Sequence, residues 1–130
     1  MSNLVGIVLV SHSAELAAGL RLLMEQIGSA TVPLATAGGT DDGRIGTSYD
    51  LVLAAIGHAD RGGGVVVLPD LGSSVLTART VLEDHPRTDV TIVDAPFVEG
   101  AVAAVVTAAS GADLNTVANA AKEARHVPKL

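Results

Sequence analysis

Hydrophobic residues along the chain fall into two alternating kinds of segment. Short apolar runs, VGIVLV from Val5 to Val10, VVVL from Val65 to Leu68 and VTIV from Val90 to Val93, are largely β-branched and predict strands buried on both faces. Between them, apolar residues recur at helical spacing. Leu16, Leu20, Leu23 and Ile27 predict the inward face of a helix over Ala14–Ile27, with Gly28 as its C-cap. Thr31–Ala35 predicts a further short strand, and Pro33 within it points to a sheet edge. A loop rich in Gly and Asp, AGGTDDGRIGTS, leads to Thr47 or Ser48 as the N-cap of a helix reaching Gly57. Leu51, Ala54, Ala55 and Ile56 are expected inward there, and Asp50 sits in the first turn, where the helix dipole favours it.

Beyond the glycines at 62–64, the strand over Val65–Leu68 breaks at Pro69-Asp70. Gly72-Ser73-Ser74 then precedes a helix over Val75–Asp84, with Pro86 just past its end. After the strand at Val90–Val93 come two helices split at Gly111, one over Val98–Ala109 and one from Asp113 as N-cap to Ala124. The order βαβαβαβαα, with near-continuous apolar strands, predicts an α/β fold: an open, doubly wound parallel sheet flanked by helices through right-handed crossovers. No internal repeat or linker interrupts it, and 130 residues at 48% hydrophobic content suit one domain over 1–130.

Charge and composition narrow the partners. Eight Lys and Arg against 14 Asp and Glu leave a net charge of −6, the wrong sign for binding nucleic acid by counterion release. One Tyr, one Phe and no Trp leave almost nothing to stack on bases, and the absence of Cys excludes disulfides, thiol catalysis and thiolate metal sites. The first apolar run, seven residues from Leu4 to Val10, lacks a basic flank and falls short of the roughly 20 residues needed to cross a bilayer. AVAAVVTAA is also too short, so a soluble cytoplasmic chain without membrane insertion is expected.

Two polar residues stand at the exits of two buried strands, His12 after the first and Asp70 after the third. If those strands are neighbours, the side chains meet in the crevice where an open α/β sheet binds its ligands. A carboxylate on one ring nitrogen fixes the imidazole tautomer and leaves the other nitrogen free as a nucleophile near neutral pH. Gly38-Gly39-Thr40 and Gly72-Ser73-Ser74 lie at the same edge, with amides and hydroxyls suited to an anion. The chemistry that fits this set is phosphoryl transfer. Taken singly the residues have plainer readings: His12 as a capping or core histidine, Asp70 as a helix cap or Asx-turn residue, and the loop over Ala37–Ser48 as a tight βα turn. The pair is more informative than either member.

Other chemistries lack their residues. There is neither a G-x-G-x-x-G pattern nor a P-loop lysine, so no dinucleotide or nucleotide cofactor is expected. His58, His85 and His126 have no ligand-like spacing, and no metal is assigned. Lys122, Glu123 and Arg125 read as a solvated face, and Asp41, Asp42, Asp60, Asp89 and Asp94 as turn residues. A receiver-like module phosphorylated on Asp70 would need an acidic Mg²⁺ cluster beside the first strand, where this chain has Ser11-His12-Ser13.

The segments VGIVLVSHSAELAAG, AGGTDDGRIGTS, GGGVVVLPDLGSS and VDAPFVEGAVAAVVTAASG, followed by LNTVANAAKEA, resemble in order the mannose-type EIIA domains. Within them, these segments closely resemble the phosphotransferase subunits (DhaM) of dihydroxyacetone kinases that depend on the phosphotransferase system. The resemblance covers nearly the whole chain. It implies a sheet in 2-1-3-4 order, a homodimer, and a phosphoryl group carried on His12. The donor would be HPr, charged from phosphoenolpyruvate through enzyme I. The acceptor would be ADP held in the DhaL subunit, and the ATP formed would phosphorylate dihydroxyacetone on DhaK. Asp70 matches the aspartate that orients the histidine, and Gly39, Thr40 and Ser73 fall in the matching phosphoryl-binding loops. An EIIA component of a sugar permease, or a non-catalytic regulatory protein of the same fold, are the competing functions.

Overall fold

A computed structural model describes residues 3–28 and 30–130. Four parallel strands form one sheet in the order β2-β1-β3-β4, as the resemblance implies. They are β1 (Gly6–Ser11), β2 (Leu34–Gly38), β3 (Val65–Pro69) and β4 (Val90–Ile92). The helices are α1 (Ala14–Ile27), α2 (Tyr49–Ala59), α3 (Gly72–Asp84), α4 (Phe97–Ala109) and α5 (Leu114–Glu123), with a short 3-10 turn at Ala124–His126.

The unbroken apolar runs follow from burial on both faces. Ile7 and Leu9 of β1, with Val66 and Leu68 of β3, pack beneath α1, α4 and α5 together with Leu20, Met24, Ala104, Val105 and Val117. Val8 and Val10, with Val65 and Val67, pack on the opposite side against Val52, Ile56, Ala78 and Val81 of α2 and α3. Each side chain direction of the central strands therefore meets a core of its own.

Most boundaries fall within one or two residues of those the pattern predicts, and the larger differences concern β2, α3 and the buried faces of α1 and α2. β2 is displaced to Leu34–Gly38, which puts Pro33 before the strand, although the strand is indeed at the sheet edge. Its sequence, LATAG, is poor in β-formers, and pairing with β1, from Ile7↔Leu34 to Ser11↔Gly38, sets its limits. α3 starts at Gly72, three residues before Val75, because Asp70 anchors its first turn by accepting from Leu71 N–H at 2.7 Å and the Ser74 hydroxyl at 2.7 Å. In α1 the buried positions are Ala17, Leu20 and Met24, while Leu16, Leu23 and Ile27 are exposed. The apolar arc of that helix is wider than the arc the sheet covers. In α2, capped by Ser48 through Leu51 N–H at 3.1 Å, Val52 and Ala59 are buried instead of Ala54, which is exposed.

Gly38 lets the end of β2 pass the start of α1. A Cβ there would lie 2.7 Å from Ala14 Cα and 2.9 Å from Ser13 O, too close for any side chain. This contact fixes where α1 begins relative to the sheet edge.

Candidate active site

Pairing of β1 with β3 puts Val10 opposite Pro69, so the residues that follow each strand emerge side by side. The Asp70 N–H continues the ladder to Val10 O at 2.9 Å. His12 leaves β1, and Ser13 immediately caps α1 by accepting from Leu16 N–H at 3.2 Å. The imidazole is thus held between a strand end and a helix start.

Asp70 receives five donors. Its Oδ1 accepts from His12 Nδ1 at 2.9 Å, Leu71 N–H at 2.7 Å and the Ser74 hydroxyl at 2.7 Å. Its Oδ2 accepts from the Ser11 hydroxyl at 2.9 Å and the His12 N–H at 3.0 Å. Burial pushes this carboxyl up. The hydrogen bonds from Ser74, His12 and Ser11 outweigh that cost and bring it down from 3.8 to about 2. An ionised Asp70 demands a proton on Nδ1, so the lone pair is on Nε2. The side chain of His12 is 20% exposed against 8% for Asp70, so the carboxylate is covered and the imidazole is the more accessible of the two.

Ser73 in the first turn of α3 brings its hydroxyl into direct contact with His12 Nε2. Ser74 Oγ also lies 3.2 Å from Nδ1. His12, Asp70 and Ser73 are therefore brought together. Gly39 and Thr40 are not joined to the imidazole by a hydrogen bond. Gly39 N–H donates to Ser11 O at 3.0 Å, and the Thr40 hydroxyl turns into its own loop to meet Asp42 and Arg44. The loop reaches the site through Gly46, whose N–H donates to the His12 carbonyl at 2.9 Å. At φ +144° Gly46 occupies backbone space that side chains avoid.

Sequence reasoning passed over Ser11 as a site residue and named Ser74 only within the anion-suited run Gly72-Ser73-Ser74. Both are fully buried. Ser11 links the two segments, donating to Asp70 while accepting from Ser13 N–H at 3.0 Å. The only sequence signal was their adjacency to His12 and to Ser73. His58, His85 and His126 lie on α2, at the end of α3 and in the 3-10 turn, and no group of three or more His, Cys, Asp or Glu among the described residues is placed to hold a metal. Among the described residues, no helix is long and apolar enough to cross a membrane.

A histidine oriented by an aspartate at the carboxyl edge of a 2-1-3-4 sheet coincides with a family match. The model of the EIIA-man family, described as PTS system fructose IIA component, matches residues 6–118. The chain belongs to the EIIA-man family. Within it, a DhaM phosphoryl donor subunit of a PEP-dependent dihydroxyacetone kinase from Listeria innocua is 38% identical over 107 residues, 79% of this chain and 85% of that one. The Lactococcus lactis phosphotransferase subunit DhaM is 35% identical over 112 residues, 86% of this chain and 89% of that one. The Escherichia coli DhaM is 39% identical over 120 residues, but they make up only 25% of that longer protein. The crystal structure of an unknown function protein, EF1359, superposes with a TM-score of 0.81 at 33% identity, covering 92% of this EIIA-man chain and 93% of the other.

Proposed function

We propose that this EIIA-man chain is a phosphohistidine carrier of a dihydroxyacetone kinase relay, with His12 as the nucleophile and Asp70 as its orienting group. The observation that carries the reading is the direction of the imidazole: Nδ1 is held by an ionised carboxylate, which leaves Nε2, in contact with the Ser73 hydroxyl, as the nitrogen with a lone pair. Nε2 attacks the phosphorus of phospho-HPr as the bond to the donor's histidine nitrogen breaks. In the second step a β-phosphate oxygen of ADP, bound in DhaL, attacks phosphorus and the P–Nε2 bond breaks. ATP forms for the kinase subunit DhaK and the imidazole returns to its starting state. No metal or cofactor of its own is assigned to the chain, which positions the reacting groups and offers donors to the equatorial oxygens.

Ser73 is the donor assigned to the phosphoryl oxygens, since its hydroxyl already meets Nε2 and turns about its Cα–Cβ bond to serve the new group. The amides at the start of α3 favour the same negative charge. Gly39 and Thr40 take an indirect part by shaping the loop that reaches the His12 carbonyl. We place the carrier in the cytoplasm and expect it to act as a homodimer.

Asp70 as the phosphorylated residue of a receiver-like module is disfavoured, because its oxygens already accept five hydrogen bonds and its side chain is 8% exposed. The sugar-permease reading is favoured by one observation, the fructose IIA description of the family model. The two are separated by discharge of the phosphorylated chain. Loss of phosphate to DhaL with ADP supports the kinase relay, and loss only to an EIIB protein replaces it with the permease role.

A further inference from the structure

β2 is an outer strand, paired with β1 on one side alone. Ile7 N–H donates to Pro33 O at 2.9 Å and Gly39 N–H to Ser11 O at 3.0 Å, so the odd-numbered positions along this segment bond to β1. Leu34 and Thr36, between them, turn their amides and carbonyls to the open edge. Groups left in that state are a template for a further strand.

The edge lies at the floor of a groove. Leu34 packs toward the core beneath α1 and Ala35 toward the core beneath α2, so the two helices stand as walls on either side. Two clefts of about 430 and 440 Å³ run along the edge and share Arg21, Leu34 and Arg61. The α2 wall is the stripe Leu51, Ala54, Ala55 and His58, at i, i+3, i+4 and i+7. Ala54, which the pattern turned inward, belongs to this open wall, and the two alanines leave the groove clear where larger side chains would close it.

Charge is the second observation. The chain carries −6 overall, yet Arg21, His58 and Arg61 converge on this groove. Arg44, Arg87, Arg125 and Lys129 each sit against a carboxylate. Arg61 pairs with none among the described residues, and Arg21 meets only Glu25 on the exposed side of its own helix, at 4.0 Å. The positive charge over the strand edge is therefore largely unmet within the chain.

We infer that the β2 edge between α1 and α2 is a docking site for an extended acidic segment of a partner protein, which adds as a strand along Leu34 and Thr36 and sets its carboxylates against Arg21, His58 and Arg61. A second copy of this chain pairing β2 with β2 would bring Arg21 and Arg61 against their own counterparts. A small anion would use the charges and leave the strand edge bare. Leu34 pairs with Ile7, five residues before His12 and so about 16 Å away along the strand, and the occupant leaves the imidazole uncovered. Occupation of this edge does not depend on His12 carrying phosphate.

The test uses the full chain, labelled with nitrogen-15, and an acetylated, amidated heptapeptide of sequence Thr-Val-Glu-Val-Glu-Val-Thr. At saturation the peptide is expected to slow hydrogen exchange at the Leu34 and Thr36 amides about tenfold, while Ala35 and Ala37, already bonded to β1, stay as they are. Arg21→Gln and Arg61→Gln should each weaken its binding about fivefold, the upper range for an exposed ion pair, with urea midpoints unchanged. Arg79→Gln, at an exposed cation on α3, should leave binding in place. The same peptide N-methylated at its three central residues keeps both carboxylates and should not bind. Exchange at Leu34 and Thr36 that the peptide does not alter would overturn the inference. Equal binding of the methylated peptide would overturn it in favour of an anion site without a strand, and unchanged affinity in both arginine variants would remove the acidic partner. Protection of these two amides in the free chain, lost on dilution, would show a second copy in the groove and would equally overturn it.

Discussion

Replacing Asp70 with Asn removes one charge and almost no volume, and its consequences can be worked from the five bonds to this side chain. Both carboxylate oxygens accept, three donors on Oδ1 and two on Oδ2. An amide accepts on one side only. With its oxygen toward His12 Nδ1, the NH₂ group faces the His12 backbone N–H, donor against donor. With the amide reversed, the NH₂ faces Nδ1 and Leu71 N–H, and the imidazole is driven to carry its proton on Nε2, where the attacking lone pair should be. Each arrangement loses charge-assisted bonds of about 1.5–3 kcal/mol. If that loss falls wholly on the transition state, uptake slows between about tenfold and a hundredfold. The assay is a time course of phosphorylation by phospho-HPr read by intact mass, with urea unfolding in parallel. A folded Asp70→Asn protein phosphorylated at the wild-type rate would refute the orienting role.

Acid stability offers a second check. The folded state holds Asp70 ionised down to about 2 while the unfolded chain takes up its proton near 3.8, so unfolding binds a proton in between and stability falls as pH falls. About 2 kcal/mol, present above pH 5, should be lost between roughly pH 5 and 2, and Asp70→Asn should flatten that part of the urea-derived stability profile relative to wild type. Ser73→Ala should leave stability within about 0.5 kcal/mol and slow phosphoryl uptake about tenfold, as befits one lost hydrogen bond; full activity would show that its contact with Nε2 is incidental. Gly38→Ala should destabilise by roughly 2 kcal/mol or more, because the new Cβ meets α1 backbone that has little room to move. A melting temperature equal to wild type would show that the α1 start adapts freely.

Much of the architecture was legible because burial on both faces forces the central strands to be apolar throughout, as in GIVLV and VVVL. The neighbour relation between β1 and β3 was not legible from pattern, since spacing along a chain does not order strands across a sheet. It entered with the family resemblance, and it is what turns His12 and Asp70 from isolated polar residues into a pair. Edges were harder. LATAG is a strand through its pairing with β1, and nothing in its composition outweighs Pro33 and the glycines beside it. Gly72-Ser73-Ser74 looks like loop until Asp70 is seen accepting from Leu71 and Ser74 and winding the helix back to Gly72. Ser11 escaped for the same reason, and Ser74 was legible only as one of an anion-suited run: serine is ordinary at turns, and only burial beside a carboxylate shows what these two do. Thr40 was the opposite case, a residue suited to anions whose hydroxyl the loop uses for itself.

The most direct test of the central claim is intact-mass spectrometry of the chain after incubation with phosphoenolpyruvate, enzyme I and HPr, beside His12→Ala. The account predicts a single base-stable, acid-labile phosphoryl group on the wild type and none on the variant. A folded wild-type chain that takes up no phosphate, or a His12→Ala chain that takes up as much, would contradict it.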